Sequence, residues 1–342
     1  MDDYQAQHVL VTGGAGFIGS TYVRLALSAT PARRVIVLDK LTYAGNLANL
    51  ADVADHSRLR FVQGDITDPV AVRECLRGVD TVVNFAAETH VDRSIQDAGS
   101  FVLTDVYGLH VLLAASLEHG VRRFLQVSTD EVYGDIAEGA SVESDPLLPR
   151  SPYAAGKAGG ELLARAYAIT HGLDVVVTRG SNTFGPRQHP EKLVPLFITN
   201  ALDGKPLPVY GDGLQVRDWL AVQDHCTGID TVLRRGAAGQ AYNLGGGTPL
   251  TNLRMTDQIL RLCGRDSGLI RHVADRKGHD RRYAINCDKA HALGWRPTLS
   301  FSDALAQTVT WYRENEAWWR PTRESGVFAE HVRRTYAEPT GD

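Results

Sequence analysis

The sequence predicts an α/β fold: a doubly wound parallel sheet followed by a smaller C-terminal lobe. Three observations predict it. Short apolar runs alternate with helix-length amphipathic stretches through the first half, and a glycine-rich turn joins the first run to the first such stretch. After Gly185 the rhythm breaks into shorter segments punctuated by Pro186, Pro190, Pro195, Pro206 and Pro208. Strands alternating with helices argue for β-α-β units, whose connections make the sheet parallel.

Taken in order, the apolar runs at 8–12, 34–39, 59–64, 81–84, 124–128 and 174–179 read as strands. Helices are expected over about 20–28, 105–119 and 153–171, and Ser302 reads as the N-cap of a late helix through about residue 314. From about residue 325 the chain is largely polar and is expected to be poorly ordered. The domains expected are 1–185, which carries the glycine turn and the catalytic candidates, 186–330, mainly a substrate lobe with some segments returning to the main sheet, and a tail, 331–342.

Composition narrows the function classes. The 342 residues are 43% hydrophobic and 22% charged with a net charge of −4, and no basic arm supports nucleic-acid binding. Cys75, Cys226, Cys263 and Cys287 are far apart without Cys-x-x-Cys spacing, so neither a zinc site nor a disulfide framework is expected, and a reducing compartment fits. The polar start, residues 1–7, does not read as a signal peptide, and no apolar run approaches the ~20 residues of a membrane helix, so a cytoplasmic location is expected.

The first strand runs into Gly13, Gly16 and Gly19, with Phe17 and Ile18 between the last two. Glycines at i, i+3 and i+6 permit a tight turn and the approach of a pyrophosphate to the backbone, while the following helix points free N–H groups at that anion. Asp39 ends the next strand, 20 residues beyond Gly19, where a carboxylate accepts ribose hydroxyls and repels an added phosphate. This is a Rossmann-type pattern and predicts NAD rather than NADP, although Lys40 beside Asp39 works slightly against the choice. Asp65 and Ile66 follow the third strand and suit the adenine edge; a helix cap is the alternative for Asp65.

Tyr153 and Lys157 lie four apart and so share a helix face. An ammonium one turn away, with a positive nicotinamide ring, favours the phenolate of a residue whose ordinary pKa is ~10. Ser128-Thr129-Asp130-Glu131 ends a preceding strand, where α/β sheets bind ligands. Two adjacent carboxyls exceed what alcohol oxidation needs. A dehydration needs one to take a carbon-bound proton and one to protonate the leaving hydroxyl. The alternative is a pair of loop acids that cap the next segment.

At these residues the chain resembles the dTDP-glucose 4,6-dehydratase family of extended short-chain dehydrogenases/reductases, over about residues 8–320. The motifs are Thr-Gly-Gly-Ala-Gly-Phe-Ile-Gly from Thr12, Ala-Ala-Glu-Thr-His-Val-Asp-Arg-Ser-Ile from Ala86, Ser-Thr-Asp-Glu-Val-Tyr-Gly from Ser128, Ser-Pro-Tyr from Ser151, Gly-Pro-Arg-Gln-His-Pro-Glu-Lys-Leu from Gly185, Arg-Asp-Trp-Leu from Arg217 and Asp-Arg-Lys-Gly-His-Asp-Arg-Arg-Tyr from Asp275. The resemblance implies oxidation at C4 of dTDP-glucose with Thr129 and Tyr153 on the 4-hydroxyl, removal of the C5 proton by Glu131, protonation of the leaving C6 hydroxyl by Asp130, and hydride return to C6. It implies NAD contacts from Thr42, Phe85, Ala86, Ala87 and Thr104 besides the residues above, with Tyr153 and Lys157. It implies substrate contacts from Glu88, Thr129, Asn182, Glu191, Lys192, Leu193, Pro208, Tyr210, Arg217, Asn252, Arg276 and His279, with Tyr210 stacked on the base. No metal is implied. His90 falls in the stretch the resemblance puts over nicotinamide and sugar, or is a polar loop cap. A homodimer is implied, through a four-helix interface of the helices near 105–119 and 153–171.

Three positions depart from the family pattern. Asp105 stands where asparagine is usual, Gly156 where serine is usual, and Phe184 ends a stretch that usually ends in tyrosine. The competing readings are a UDP-sugar 4-epimerase or UDP-glucuronate decarboxylase on the same scaffold, which do not need the acid pair, and a non-catalytic NAD-binding regulator.

Overall fold

The structure is a computed structural model that describes residues 3–29 and 33–336. Seven parallel strands form the main sheet: β1 (His8–Thr12), β2 (Arg34–Asp39), β3 (Leu59–Gln63), β4 (Thr81–Asn84), β5 (Arg123–Thr129), β6 (Val175–Gly180) and β10 (Ala241–Leu244). Their order is β10-β6-β5-β4-β1-β2-β3, so the chain reverses direction across the sheet between β1 and β4. Ligand crevices of open α/β sheets form at that point, outside the carboxyl ends of the strands.

Every residue of β4, β5 and β6 is buried, because helices cover both faces. On one face α1 (Phe17–Ser28) and α8 (Val222–Arg235) pack Tyr22, Ala26, Ile229 and Leu233 onto Val9, Val11 and Val35. On the other, α2 (Pro69–Leu76), α5 (Leu109–Glu118) and α6 (Pro152–His171) pack Leu76, Leu112 and Ala164 onto Leu10, Val82 and Phe124. Sequence dictates the ends of α6. The Ser151 hydroxyl accepts the Ala154 N–H at 3.1 Å, Pro152 takes the first turn, and Gly172 closes the helix in the left-handed region at φ 67°.

The C-terminal lobe has its own core. It is built from α7 (Leu193–Leu202), β8 (Leu207–Tyr210), α9 (Asn252–Leu262), α11 (Phe301–Glu314), α12 (Glu316–Glu324) and α13 (Gly326–Tyr336), with Phe197, Ile259, Tyr312 and Trp319 at its centre. A three-stranded sheet, β11 (Pro249–Thr251), β9 (Val216–Ala221) and β7 (Asn182–Phe184), joins it to the main sheet, and β12 (Ile270–Val273) pairs with β8. The strand β10 and helix α8 return to the first half.

Four expectations are corrected. The N-cap of α11 is Ser300, whose hydroxyl accepts the Asp303 N–H at 3.1 Å; Ser302 already lies inside the helix. The polar tail is ordered as α13 through residue 336, because Phe328 and His331 turn inward one helical turn apart; residues 337–342 of that expected tail lie outside the described residues. The helix expected from 105 begins earlier, as α4 (Ala98–Val102) followed by a π turn at Leu103–Gly108 that runs into α5. The continuous run Ala98–Glu118 therefore has 21 residues, long and apolar enough by length and composition to cross a membrane, with half of it buried. Its buried side lies on the sheet and α6, while Val102, Leu103 and Tyr107 are exposed.

Candidate active site

The carboxyl ends of β1, β2, β4 and β5 open into one cleft of about 300 Å³. The glycine turn forms its floor. Gly13 has φ 66°, and a Cβ there would stand 2.7 Å from the Ala86 amide; a Cβ on Gly19 would collide with the Gly13 carbonyl oxygen. The first helix has Gly16 at its N-cap with no side-chain cap, so its leading N–H groups remain available to an anion. Asp39 stands over the turn, taking the Ala15 N–H at 2.9 Å and the Leu41 N–H at 2.8 Å, and its carboxylate retains lone pairs for further donors. These features fit a dinucleotide. Gly13, Gly16, Phe17, Ile18, Gly19, Asp39, Lys40, Thr42, Asp65, Ile66, Phe85, Ala86, Ala87 and Thr104 all line this cleft.

Lys40 is tied to Asp65 at 2.7 Å. Asp65 is not the helix cap, since Asp68 accepts the Val70 N–H at 2.8 Å at the start of α2. Replacing Gly19 by alanine forces the turn apart at backbone atoms. The overpacking costs about 1–3 kcal/mol, which is roughly 5- to 150-fold in NAD affinity; a titration of tryptophan fluorescence with NAD measures it, and an unchanged affinity refutes the cradle.

The same cleft ends at Thr129, Asp130, Glu131, Tyr153 and Lys157. Strand β5 continues into a short 3₁₀ turn, Asp130–Tyr133, capped by the Thr129 hydroxyl, which accepts the Glu131 N–H at 3.3 Å. That turn fixes both acids at the end of a central strand. Thr129 also donates to Asp130 Oδ1 at 3.2 Å, while Oδ2 has no partner. Burial, then the neighbouring Glu131, raises Asp130 well above the usual carboxylate range. Burial raises Glu131 too, but Arg276, Arg217 and Lys192 oppose it. The two acids thus sit in unequal fields, Asp130 holding its proton more firmly.

Lys157 donates to the Val127 carbonyl at 2.7 Å, which leaves two N–H groups for a ligand. Burial lowers its pKa. The expected lowering of Tyr153 is not found in the protein alone. Burial, then the carboxyls of Glu131 and Asp105, raises it well above its ordinary value, with the Thr129 hydroxyl acting the other way.

A second cavity of about 150 Å³ adjoins the first, and Val91, Glu131, Asn182 and Lys192 line both. Glu191, Leu193, Pro208, Tyr210, Arg217, Asn252, Arg276 and His279 line the second, and Glu88 the first. Asn182 Oδ1, Glu191 Oε1, Asn252 Oδ1 and Arg276 Nε are buried without a hydrogen bond, Arg276 Nε standing 4.0 Å from Asp92, the state of groups that await a polar ligand. Arg217 is anchored on the Val216 and Asp280 carbonyls at 2.8 and 2.9 Å. Arg93 holds the other Glu191 oxygen at 2.9 Å. His279, lowered to about 4 by burial and Arg276, bonds Asp275 at 2.6 Å and packs edge-on against Tyr210. His90 caps α3 (Val91–Gln96) by accepting the Asp92 N–H at 3.2 Å, as the cap alternative had it, and lines the second cavity.

Among the lining residues that were missed, two tyrosines stand against the predicted site. Tyr283 donates to Asp280 at 2.5 Å and lies 3.4 Å from Glu131 Oε2. Tyr336 comes from α13 and packs on Tyr210 with ring centres 5.5 Å apart. Its signal was present: 328, 332 and 336 repeat at helical spacing inside the polar tail. Among the described residues one group, His90, Glu191 and His331, brings metal-ligand atoms within 4.8 Å of one another. Arg93, Lys192 and Arg276 already supply positive charge there, which opposes a further cation.

A protein-family model described as GDP-mannose 4,6 dehydratase matches residues 10–308. A dTDP-glucose 4,6-dehydratase of Streptomyces niveus is 54% identical over 320 residues, 92% of this chain and 95% of that one. The crystal structure of a dTDP-glucose 4,6-dehydratase from Streptomyces venezuelae, solved with NAD bound, is 56% identical over 92% of this chain and 100% of its own, with a TM-score of 0.91. A UDP-glucose 4-epimerase from Thermus thermophilus, also with NAD, shares the fold at TM-score 0.84 but only 31% identity over 90% of this chain and 100% of its own. The epimerase shares the architecture at much lower identity; more than half of the residues are shared with the dehydratases along nine-tenths of the length, and the chain belongs to the dTDP-glucose 4,6-dehydratase family.

Proposed function

We propose that this protein is an NAD-dependent hydro-lyase that converts dTDP-D-glucose to dTDP-4-keto-6-deoxy-D-glucose and water. The observation that carries the reading is the acid pair at the end of β5: Asp130 lines the first cavity, Glu131 lines both, and the two sit in unequal electrostatic fields. An oxidation, or an epimerisation, needs one base; a dehydration needs a proton donor and a proton acceptor on one hexose.

NAD, held by the Gly13–Gly19 turn and Asp39, would supply reversible hydride transfer between C4 and C6. The chain's own residues do the rest. Thr129 and Tyr153 hold the glucose 4-hydroxyl, and Tyr153 takes its proton. The C4 ketone acidifies the C5 proton, which Glu131 removes. Asp130, kept protonated by burial, gives its proton to the departing C6 hydroxyl. Glu131 then returns a proton to C5. Arg217 and Arg276 bind the diphosphate, a geometry guanidinium groups suit. Asn252 supports it, Tyr210 stacks on the base, and Glu88, Asn182, Glu191, Lys192, Leu193, Pro208 and His279 line the path from base to sugar.

On this reading residues 1–185 are the NAD domain and 186–330 mainly the nucleotide-sugar lobe. The protein is a cytoplasmic homodimer, in which the exposed Val102, Leu103 and Tyr107 meet their counterparts beside α6; a face of this kind is costly to leave in water. Incubation with a panel of nucleotide sugars, followed by mass spectrometry and the alkaline absorbance of a 4-keto sugar, tests the assignment. A dTDP-linked product lighter by one water is expected. Formation of dTDP-galactose instead assigns the chain to the epimerases.

A further inference from the structure

Beside the Tyr153–Lys157 pair lies a carboxyl that the proposed reaction does not use. The π turn at Leu103–Gly108 carries Asp105 inward against α6, where it is 5% exposed, and such turns often mark functional positions. Glycines on α6 make the approach possible: a Cβ on Gly156 would stand 3.3 Å from Asp105 Oδ2, and one on Gly160 would collide with the Asp105 carbonyl oxygen. Neither carboxyl oxygen meets a full hydrogen bond, and the Glu88 backbone N–H is the donor that approaches them. The ionisable groups that face it are Lys157 and Tyr153 from α6 and Glu88 from the segment after β4. The turn before α2 packs on Gly108 through Ile66 and Thr67, while its Asp65 is paired with Lys40. Helix α4 carries no ionisable side chain, and His110 of α5 bonds Tyr167.

We propose that Asp105 is a positioning residue for the proton transfer at Tyr153: its buried carboxyl competes with the tyrosine for the field of the Lys157 ammonium, so the phenolate forms more readily when Asp105 is neutral. This rests on Tyr153 being the base of the proposed reaction. A carboxylate with so little hydrogen bonding is costly to bury. Burial accordingly raises Asp105 to about 7, with Lys157 pulling it back, the Glu88 carboxyl adding to the rise and the Glu88 backbone N–H opposing it. Ionised Asp105 in turn raises Tyr153. The group therefore changes charge near neutrality, within the field of the catalytic pair.

The sign on stability follows. Below its ordinary value of 3.8 the carboxyl is neutral whether the chain is folded or not. Between 3.8 and about 7 the unfolded chain releases this proton and the folded chain keeps it, so stability falls through that window and the loss is complete above it.

The test is Asp105→Asn in the full chain. First, its melting temperature should gain on the wild type as pH rises from about 4 to 7. Second, in single turnovers with dTDP-glucose, the rising limb of NADH formation should reach half-maximum about one pH unit lower than in the wild type, with KM unchanged. Superimposable limbs, or a gain in stability without a shifted limb, overturn the proposal. Should the variant not fold, the wild-type limb decides: two coupled ionisations support the proposal, and a single one overturns it. A Tyr153→Phe enzyme that still forms NADH fails the parent reading instead; one that does not, beside an unshifted Asp105→Asn limb, fails this proposal alone.

Discussion

Asp130→Asn is expected to keep the first hydride transfer and lose water elimination, so that mixing the variant with dTDP-glucose makes the NADH absorbance rise and persist. Asparagine keeps the shape and the place at the end of β5, but it has no acidic proton for a leaving hydroxyl. Removing a general acid typically costs about 10²–10⁴-fold, and the loss should fall on water elimination while C4 oxidation stays near the wild-type rate. Stopped-flow absorbance with product analysis reads both steps in one experiment. A variant that turns over at the wild-type rate takes the acid role from Asp130. The neutral amide is no complication, since burial and Glu131 already favour the neutral form of the native side chain.

Tyr153→Phe should remove turnover by about 10²–10⁴-fold as well, with the opposite signature: no NADH at any time. The ring stays, including its edge-on contact with Phe101 at 6.2 Å between ring centres, so packing is preserved and only the hydroxyl goes. The variant should still bind NAD and dTDP-glucose. Retained activity excludes this hydroxyl as the base.

Much of the site was legible because fixed spacing forces it. Glycines at 13, 16 and 19 have meaning only where backbone atoms crowd, and the collisions a Cβ would cause at Gly13 and Gly19 are the physical content of the pattern. The acid pair was legible because a strand ending in two carboxyls has no apolar reason to exist. Other features were not. Ser300 and Ser302 are two residues apart, and either hydroxyl can cap a helix; only the backbone course selects the first. The π turn leaves no mark in composition, so the inward aim of Asp105 had to be seen. Tyr336 was overlooked because the charged residues around it masked a helical repeat. The direction of the Tyr153 shift was misjudged because spacing reports Lys157 and is silent about burial and the acids that face the ring.

The wall common to the two cavities, Val91, Glu131, Asn182 and Lys192, has a consequence for the catalytic cycle. A nucleotide sugar that reaches from the diphosphate site to Tyr153 must thread between these four side chains. Seated there, it would bring the hexose against the dinucleotide cleft, with Glu131 and Lys192 at the junction. That junction would keep both partners of the electron exchange side by side, so that one cofactor molecule would serve round after round without an outside oxidant.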